Sequence, residues 1–254
     1  MIIIKSKKEI ELMREGGQLL GQIMERLGKM IMPGQNTFAI NKLAKKLVFD
    51  MGGFPIFEGY GDPGNAFPAT VCTSINNEIV HGIPRKERII CEGDIVKLDI
   101  GMKYKGLITD MARTFPAGKI SDEAQKIMDV TRECLNKGIA TIKIGAKLSD
   151  YGRAVEKHAR ANGFSVVRDL VGHGVGRELH EDPQIPNYYF SGMREIVLQE
   201  GMTLALEPMI NIGTHYIKVL RDGWAYVTKD GKLSAHFEDT IVVTKDGAEI
   251  LTRI

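Results

Sequence analysis

Two long stretches of helical apolar spacing come before any strand-like alternation along the chain. KKEIELMREGGQLLGQIMERLGKMI places its apolar residues at intervals of three and four, behind a capping-box pattern of Ser6 and Glu9. The spacing predicts a long amphipathic helix, which MPG at Met32 to Gly34 ends. A second helix is expected from about Thr37 through NKLAKKLVFDM, stopping at GGF, where Phe54 opens an extended segment. The same order recurs later. Ser121 begins SDEAQKIMDVTRECLNKGIATIKIG, read as a helix ending near Gly145, and Ser149 begins SDYGRAVEKHARAN, which ends at Gly163 and Phe164. Gly34 and Gly145 are 111 positions apart, and Phe54 and Phe164 are 110 apart.

The period then changes from near four to two. IVKLDIG alternates Val96, Leu98 and Ile100 with Lys97 and Asp99, the pattern of a strand with one face in a core. LITDMART, LALEPMI and AHFEDTIVV read as further strands. EGDIVKLD and EGMTLALE echo each other at an offset of 108, which matches Asp99 with Glu207. Chance among common helix and strand patterns is one explanation of these echoes. Internal duplication is the other, and it predicts one α+β domain over residues 1–254, with helix-helix-strand halves of roughly 1–118 and 119–254. The carboxylates at matching positions would then meet near the axis relating the halves.

Composition narrows the class of partner. The net charge of +2, from 34 basic and 32 acidic residues, argues against a nucleic-acid footprint or a polybasic membrane patch. Cys72, Cys91 and Cys134 are too widely spaced for a C-x-x-C pattern and read as reduced thiols. The opening MIIIKSKKEIE falls short of a signal-peptide core, and no segment approaches 18 uninterrupted apolar residues. A cytoplasmic protein is expected.

The candidate chemistry lies in acidic residues on strands. Asp99 faces away from its aliphatic neighbours, and LITDMART brings Asp110 back along the next strand. If the connecting turn centres on Tyr104 and Lys105, Asp99 and Asp110 face each other, with Cβ atoms roughly 4.5 to 5.5 Å apart. Two carboxylates that close are destabilising unless something positive lies between them, and a divalent cation is the simplest remedy. Glu207 and Glu238 supply two more, with Pro208 placing Glu207 near a strand's end. With His173 from GHGVGRELHEDP they form an oxygen-rich set suited to a pair of divalent ions, as in two-metal hydrolases. His173 and His180 do not fit H-E-x-x-H, and GHGVG does not fit G-x-G-x-x-G.

Together these motifs resemble the type I methionine aminopeptidases. The likeness runs almost end to end, through IKSKKEIELMREGG, VHGIP, DIVKLDIG, TDMART, GHGVGRELHEDPQIPNY, GMTLALEPM, DGW and TIVVT. It implies the pita-bread fold, two pseudo-symmetric halves around a curved antiparallel sheet. It also implies removal of N-terminal methionine when the second residue is small. By position, Asp99, Asp110, His173, Glu207 and Glu238 match dinuclear metal ligands, with Asp110 and Glu238 bridging. The ions would be manganese, iron, cobalt or zinc. His180 matches a non-ligand imidazole near the scissile amide, His81 a second one across the cleft, and Glu207 a proton carrier. Tyr60, Cys72 and Trp224 match the methionine pocket. Phe57, Phe67 and Leu179 fall in it too, as replacements for the family's usual residues, and GYGDPGNAFP is longer than the loop expected there. Asp239 stands where histidine is common, and His236 is read as structural or surface. Asn76 and Ser234 resemble a monovalent-cation site dominated by backbone ligands. The partners implied are N-termini of nascent polypeptides and peptides, with ribosome association left open and no DNA or membrane; a monomer is expected. An Xaa-Pro peptidase-like or creatinase-like hydrolase on the same fold, and a non-catalytic binding homologue, are the alternatives. The first usually carries an extra N-terminal domain and the second has lost ligands. The insertion of type II enzymes is absent, since 26 residues separate His180 from Glu207.

Overall fold

The capping box at Ser6 forms as the sequence predicts. Ser6 Oγ accepts the Glu9 N–H, and Glu9 Oε2 accepts the Ser6 N–H at 2.8 Å. This starts α1 (Lys7–Gly28) in the computed structural model, which describes residues 1–254. Asn36 caps α2 (Thr37–Asp50), and Ser121 caps α3 (Asp122–Ile139). The third helix stops six residues before Gly145, where the Thr141 hydroxyl donates to the Gly138 carbonyl and turns the chain. The fourth, α4 (Leu148–Ala161), begins one residue before Ser149 because Asp150 accepts the Lys147 N–H, while Ser149 Oγ donates to Glu195.

The strands that carry chemistry are β1 (Cys72–Ile75), β2 (Glu78–Val80), β3 (Ile95–Tyr104), β4 (Leu107–Pro116), β5 (Gly172–Gly174), β6 (Thr203–Leu206), β7 (Ser234–His236) and β8 (Glu238–Thr244). The main sheet is antiparallel and runs in the order Phe54–Pro55, β3, β4, β8, β6, β5, Glu181–Ile185. Strand β1 adds to β3, and Gly247–Ile250 adds to β8.

Both helix pairs cover one face of this sheet. Val96, Leu98, Ile100 and Met102 pack under α1 and α2 in one buried cluster. Leu204, Leu206, Ile241 and Val243 pack under α3 and α4 in another. Full burial of a leucine such as Leu20 or Leu27 contributes about 1.5–3 kcal/mol. Helix α1 lies close on its partners because glycine faces them. A Cβ at Gly17 would sit 2.4 Å from the Leu251 carbonyl oxygen, and one at Gly28 equally near the Phe115 ring. Each mid-helix glycine costs about 1 kcal/mol against alanine, and the closer packing offsets it.

The spacing of the sequence echoes reappears in backbone hydrogen bonds. Gly34 N–H donates to Ile90 and Ile90 N–H to Gln35; in the second half Gly145 donates to Leu198 and Leu198 to Ala146. The period-two alternation leaves Lys97, Asp99 and Gly101 on the face that the helices do not cover, and that face holds the site.

Candidate metal centre and active site

The β3–β4 hairpin positions the first two carboxylates, in a register two residues from the expected one. Asp99 pairs with Ala112, and Asp110 with Gly101. The turn centres one position later because Lys105 and Gly106 both take left-handed backbone, with φ of 48° and 90°. Such two-residue turns match strand twist. A slip of one residue would have turned Asp110 to the helix side. The even shift keeps both acids on one face, as diagonal rather than direct neighbours.

Two adjacent rows of side chains across the sheet then make up the centre. Cys72, Asp99, Ala112 and Glu238 lie side by side on β1, β3, β4 and β8. The next row is Gly101, Asp110, Thr240, Ala205 and His173. Thr240 Oγ1 joins its two halves, accepting the Asp110 N–H at 2.9 Å and donating to the Asp110 carbonyl at 2.8 Å. Ala112 and Ala205 add only a methyl group each to this face, and Gly101 admits the Ile56 and Phe57 side chains, which a Cβ there would meet at 2.6 and 3.0 Å. Glu207 follows β6 directly, where Pro208 ends the ladder, and its carbonyl accepts the Asn187 side-chain amide at 3.1 Å. Ligand atoms of Asp110, His173 and Glu238 all lie within 4.8 Å of one another.

No lysine or arginine pairs with any of the four carboxylates, whose only nearby ring nitrogens are those of His173 and His236 beside Glu207. Asp99 Oδ1, Asp110 Oδ1 and Glu238 Oε1 are buried without a hydrogen-bond partner. Burial pushes Asp110 up to about 7. Burial first, and then the charges of neighbouring acids, hold Asp99, Glu207 and Glu238 well above the usual carboxylate range. Ionising such a cluster is costly until a cation enters it. His173 is prepared in the complementary way. Its Nδ1–H donates to the Gly174 carbonyl at 2.9 Å, which leaves the lone pair on Nε2, 3.5 Å from Glu207 Oε1. Burial, followed by the nearby His180, lowers it to about 3, so the ring is neutral at pH 7. Orphaned carboxylate oxygens and one free imidazole nitrogen fit hard or borderline dications.

The thirteen residues expected to bind metal or substrate or to act in catalysis line one cavity: Phe57, Tyr60, Phe67, Cys72, His81, Asp99, Asp110, His173, Leu179, His180, Glu207, Trp224 and Glu238. The His180 ring lies 4.4 Å from that of His173, at 75° to it. Its Nδ1 shares a 2.5 Å hydrogen bond with the Tyr60 hydroxyl. His81 sits across the cavity in left-handed backbone, φ 58°, with Nδ1 unpartnered, and burial lowers it to about 4. The longer loop closes the apolar end. Asn65 accepts the Trp224 indole N–H at 2.9 Å, and the Trp224 ring meets Phe67 edge-on at 5.2 Å.

Three other positions noted in the sequence also have defined surroundings. His236 is not at the surface: it is 1% exposed, both ring nitrogens lack partners, and Nε2 is 3.6 Å from Glu207 Oε2. Its position two residues before Glu238 was the available signal, since that spacing puts both on one face. Asp239 points the other way, paired with Arg113 and Arg253 at 2.6 Å. Asn76 and Ser234 do come together, but Lys97 Nζ lies between their carbonyls, at 2.7 and 3.0 Å.

Comparison with known proteins agrees with this geometry. Residues 11–245 match the model of metallopeptidase family M24. The methionine aminopeptidase of Clostridium acetobutylicum is 44% identical over 252 residues, which cover 99% of each chain. The crystal structure of the Thermotoga maritima methionine aminopeptidase superposes with a TM-score of 0.95, at 44% identity and full coverage of both chains. Prolidase from Pyrococcus furiosus shares the fold alone, with a TM-score of 0.77 at 22% identity, and this chain covers 66% of it. The fold is therefore the pita-bread fold, and the chain belongs to metallopeptidase family M24, in its methionine aminopeptidase branch.

Proposed function

We propose that the chain removes the N-terminal methionine from nascent proteins and peptides whose second residue is small, using two divalent ions. One observation carries this proposal: four carboxylates, three buried and Glu207 largely so, converge with a neutral imidazole and no lysine or arginine partner at one end of a pocket whose other end is apolar. Asp99, Asp110, His173, Glu207 and Glu238 would hold manganese, iron, cobalt or zinc. Bound there, the ions would acidify a water and neutralise charge as the amide is attacked.

The chain's own residues do the rest. Cys72 neighbours Asp99 across β1 and β3 and also lines the pocket, so a methionine side chain in that pocket sets its α-amine at the Asp99 end. Phe57, Tyr60, Phe67, Leu179 and Trp224 enclose the side chain and exclude water. With Tyr60 donating to Nδ1, His180 carries its proton on Nε2 and donates it to the oxygen on which charge develops. Glu207 takes the proton of the attacking water, and His81, neutral by burial, relays a proton to the departing amine.

Residues 1–254 act as one catalytic domain, as a monomer, in the cytoplasm, on chains emerging from the ribosome. No helix is long and apolar enough to cross a membrane. Purified, manganese-loaded protein should release methionine from Met-Ala-Ser and leave intact Leu-Ala-Ser and Xaa-Pro peptides that do not begin with methionine. Cleavage of Xaa-Pro peptides with Met-Ala-Ser untouched would replace this function with the proline-directed one.

A further inference from the structure

Lys97 is 1% exposed and has no carboxylate within ion-pair distance. Its ammonium donates only to backbone, to the Asn76 carbonyl at 2.7 Å and the Ser234 carbonyl at 3.0 Å. Burying an ammonium without a counter-charge costs several kcal/mol, and burial lowers Lys97 to about 7, so its surroundings bear on what it does. Asn76 forms the turn between β1 and β2 in left-handed backbone, φ 53°. Its side chain accepts the Ile95 N–H at 3.1 Å and donates to Asp94 at 2.7 Å, which ties the turn to the start of β3. Ser234 opens β7 and sends its own N–H to the Asn76 carbonyl at 3.1 Å.

One ammonium therefore joins the turn, β3 and β7. Lys97 precedes Asp99 by two residues on the same face, and Ser234 precedes Glu238 by four. Lys97 pairs across the sheet with Thr114, whose hydroxyl donates to the His236 carbonyl at 2.7 Å. The head group lies one row beneath Asp99 and Glu238, where their strands are fastened together. Backbone carbonyls converging on a desolvated monocation are also how proteins hold potassium.

We propose that Lys97 is a positioning residue whose ammonium stands in for an inorganic monovalent ion between Asn76 and Ser234, setting the spacing of Asp99 and Glu238 for dication binding. The proposal rests on the dication centre described under Proposed function. Calorimetric titration of Mn2+ into chelator-treated wild type, Lys97→Met and Lys97→Ala tests it, in potassium chloride and in choline chloride of equal ionic strength.

Wild type should bind Mn2+ equally in both salts. Lys97→Ala in choline chloride should bind about 10- to 100-fold more weakly, and potassium or methylammonium entering the vacated space should restore at least tenfold. Lys97→Met, which fills that space, should be weakened in both salts. Lys97→Met binding like wild type would overturn the proposal, as would a Lys97→Ala defect that no cation repairs. A tenfold gain from potassium in wild type would also overturn it, and needs no variant. Wild type that binds no Mn2+ in either salt would instead remove the dication centre itself.

Discussion

Glu238→Gln should make the dication-free protein more stable at pH 8.5, although it disables the site. The swap keeps shape and polar-atom count and removes one charge. Ligand oxygens of Glu238 and Asp110 lie within 4.8 Å of each other. At that separation and an effective dielectric of about 20, two ionised carboxylates repel by about 3.5 kcal/mol. Imperfect solvation of the new amide takes back part of this, which leaves a gain of about 1–3 kcal/mol. For a chain of this length that is a rise in apparent Tm of roughly 3 to 10 °C. Thermal melts in excess chelator, followed by circular dichroism, read the difference. Saturating Mn2+ should reverse the order, because ligand at 100 times its Kd stabilises wild type by about 2.7 kcal/mol and the variant much less. A Glu238→Gln protein that melts below wild type in chelator would mean that the carboxylate was already satisfied by the protein, and the case for a cation at the centre would be lost.

Further outcomes follow from the same geometry. Asp110 has a folded value near 7, above its ordinary one, so the folded chain keeps a proton that the unfolded chain releases, and stability is lost as pH rises through that interval. The advantage of Asp110→Asn over wild type, measured by urea unfolding without metal, should therefore grow from pH 4 to 7 and then level off; an advantage that shrinks over that range contradicts the assignment. Mn2+ binding at pH 6 should expel protons, seen as a calorimetric enthalpy that tracks the ionisation heat of the buffer. His180→Ala should lower kcat about 10²- to 10³-fold with Mn2+ affinity unchanged, whereas a collapse of affinity would make His180 a ligand. Trp224→Ala should lower kcat/KM for methionyl peptides at least about 10-fold, mainly through KM, and an unchanged KM would remove Trp224 from the pocket.

What could be read without coordinates depended on whether a residue's role follows from local periodicity. Alternation in IVKLDIG fixed the face of Asp99, and the capping box fixed the start of α1, because both are short-range effects. The hairpin register was misplaced because Lys105, a residue with no special liking for left-handed backbone, adopts it beside Gly106. His236 was passed over although it shares the two-residue spacing with Glu238, since a lone histidine in a strand is more often core than site. Lys97 could not be read at all. Its acceptors are main-chain carbonyls 21 positions before it and 137 after it, and carbonyls have no sequence signature. The pocket-forming residues were found only through the family resemblance, since aromatic residues in a loop have no spacing that announces a cavity.

The proposed chemistry depends most on cations occupying the space between the two rows of side chains. Anomalous scattering from manganese-loaded crystals tests that directly. Two peaks enclosed by Asp99, Asp110, His173, Glu207 and Glu238 are predicted, with Asp110 and Glu238 touching both. A map with no peak among these five residues, under conditions where the protein is folded and manganese is in excess, would contradict it.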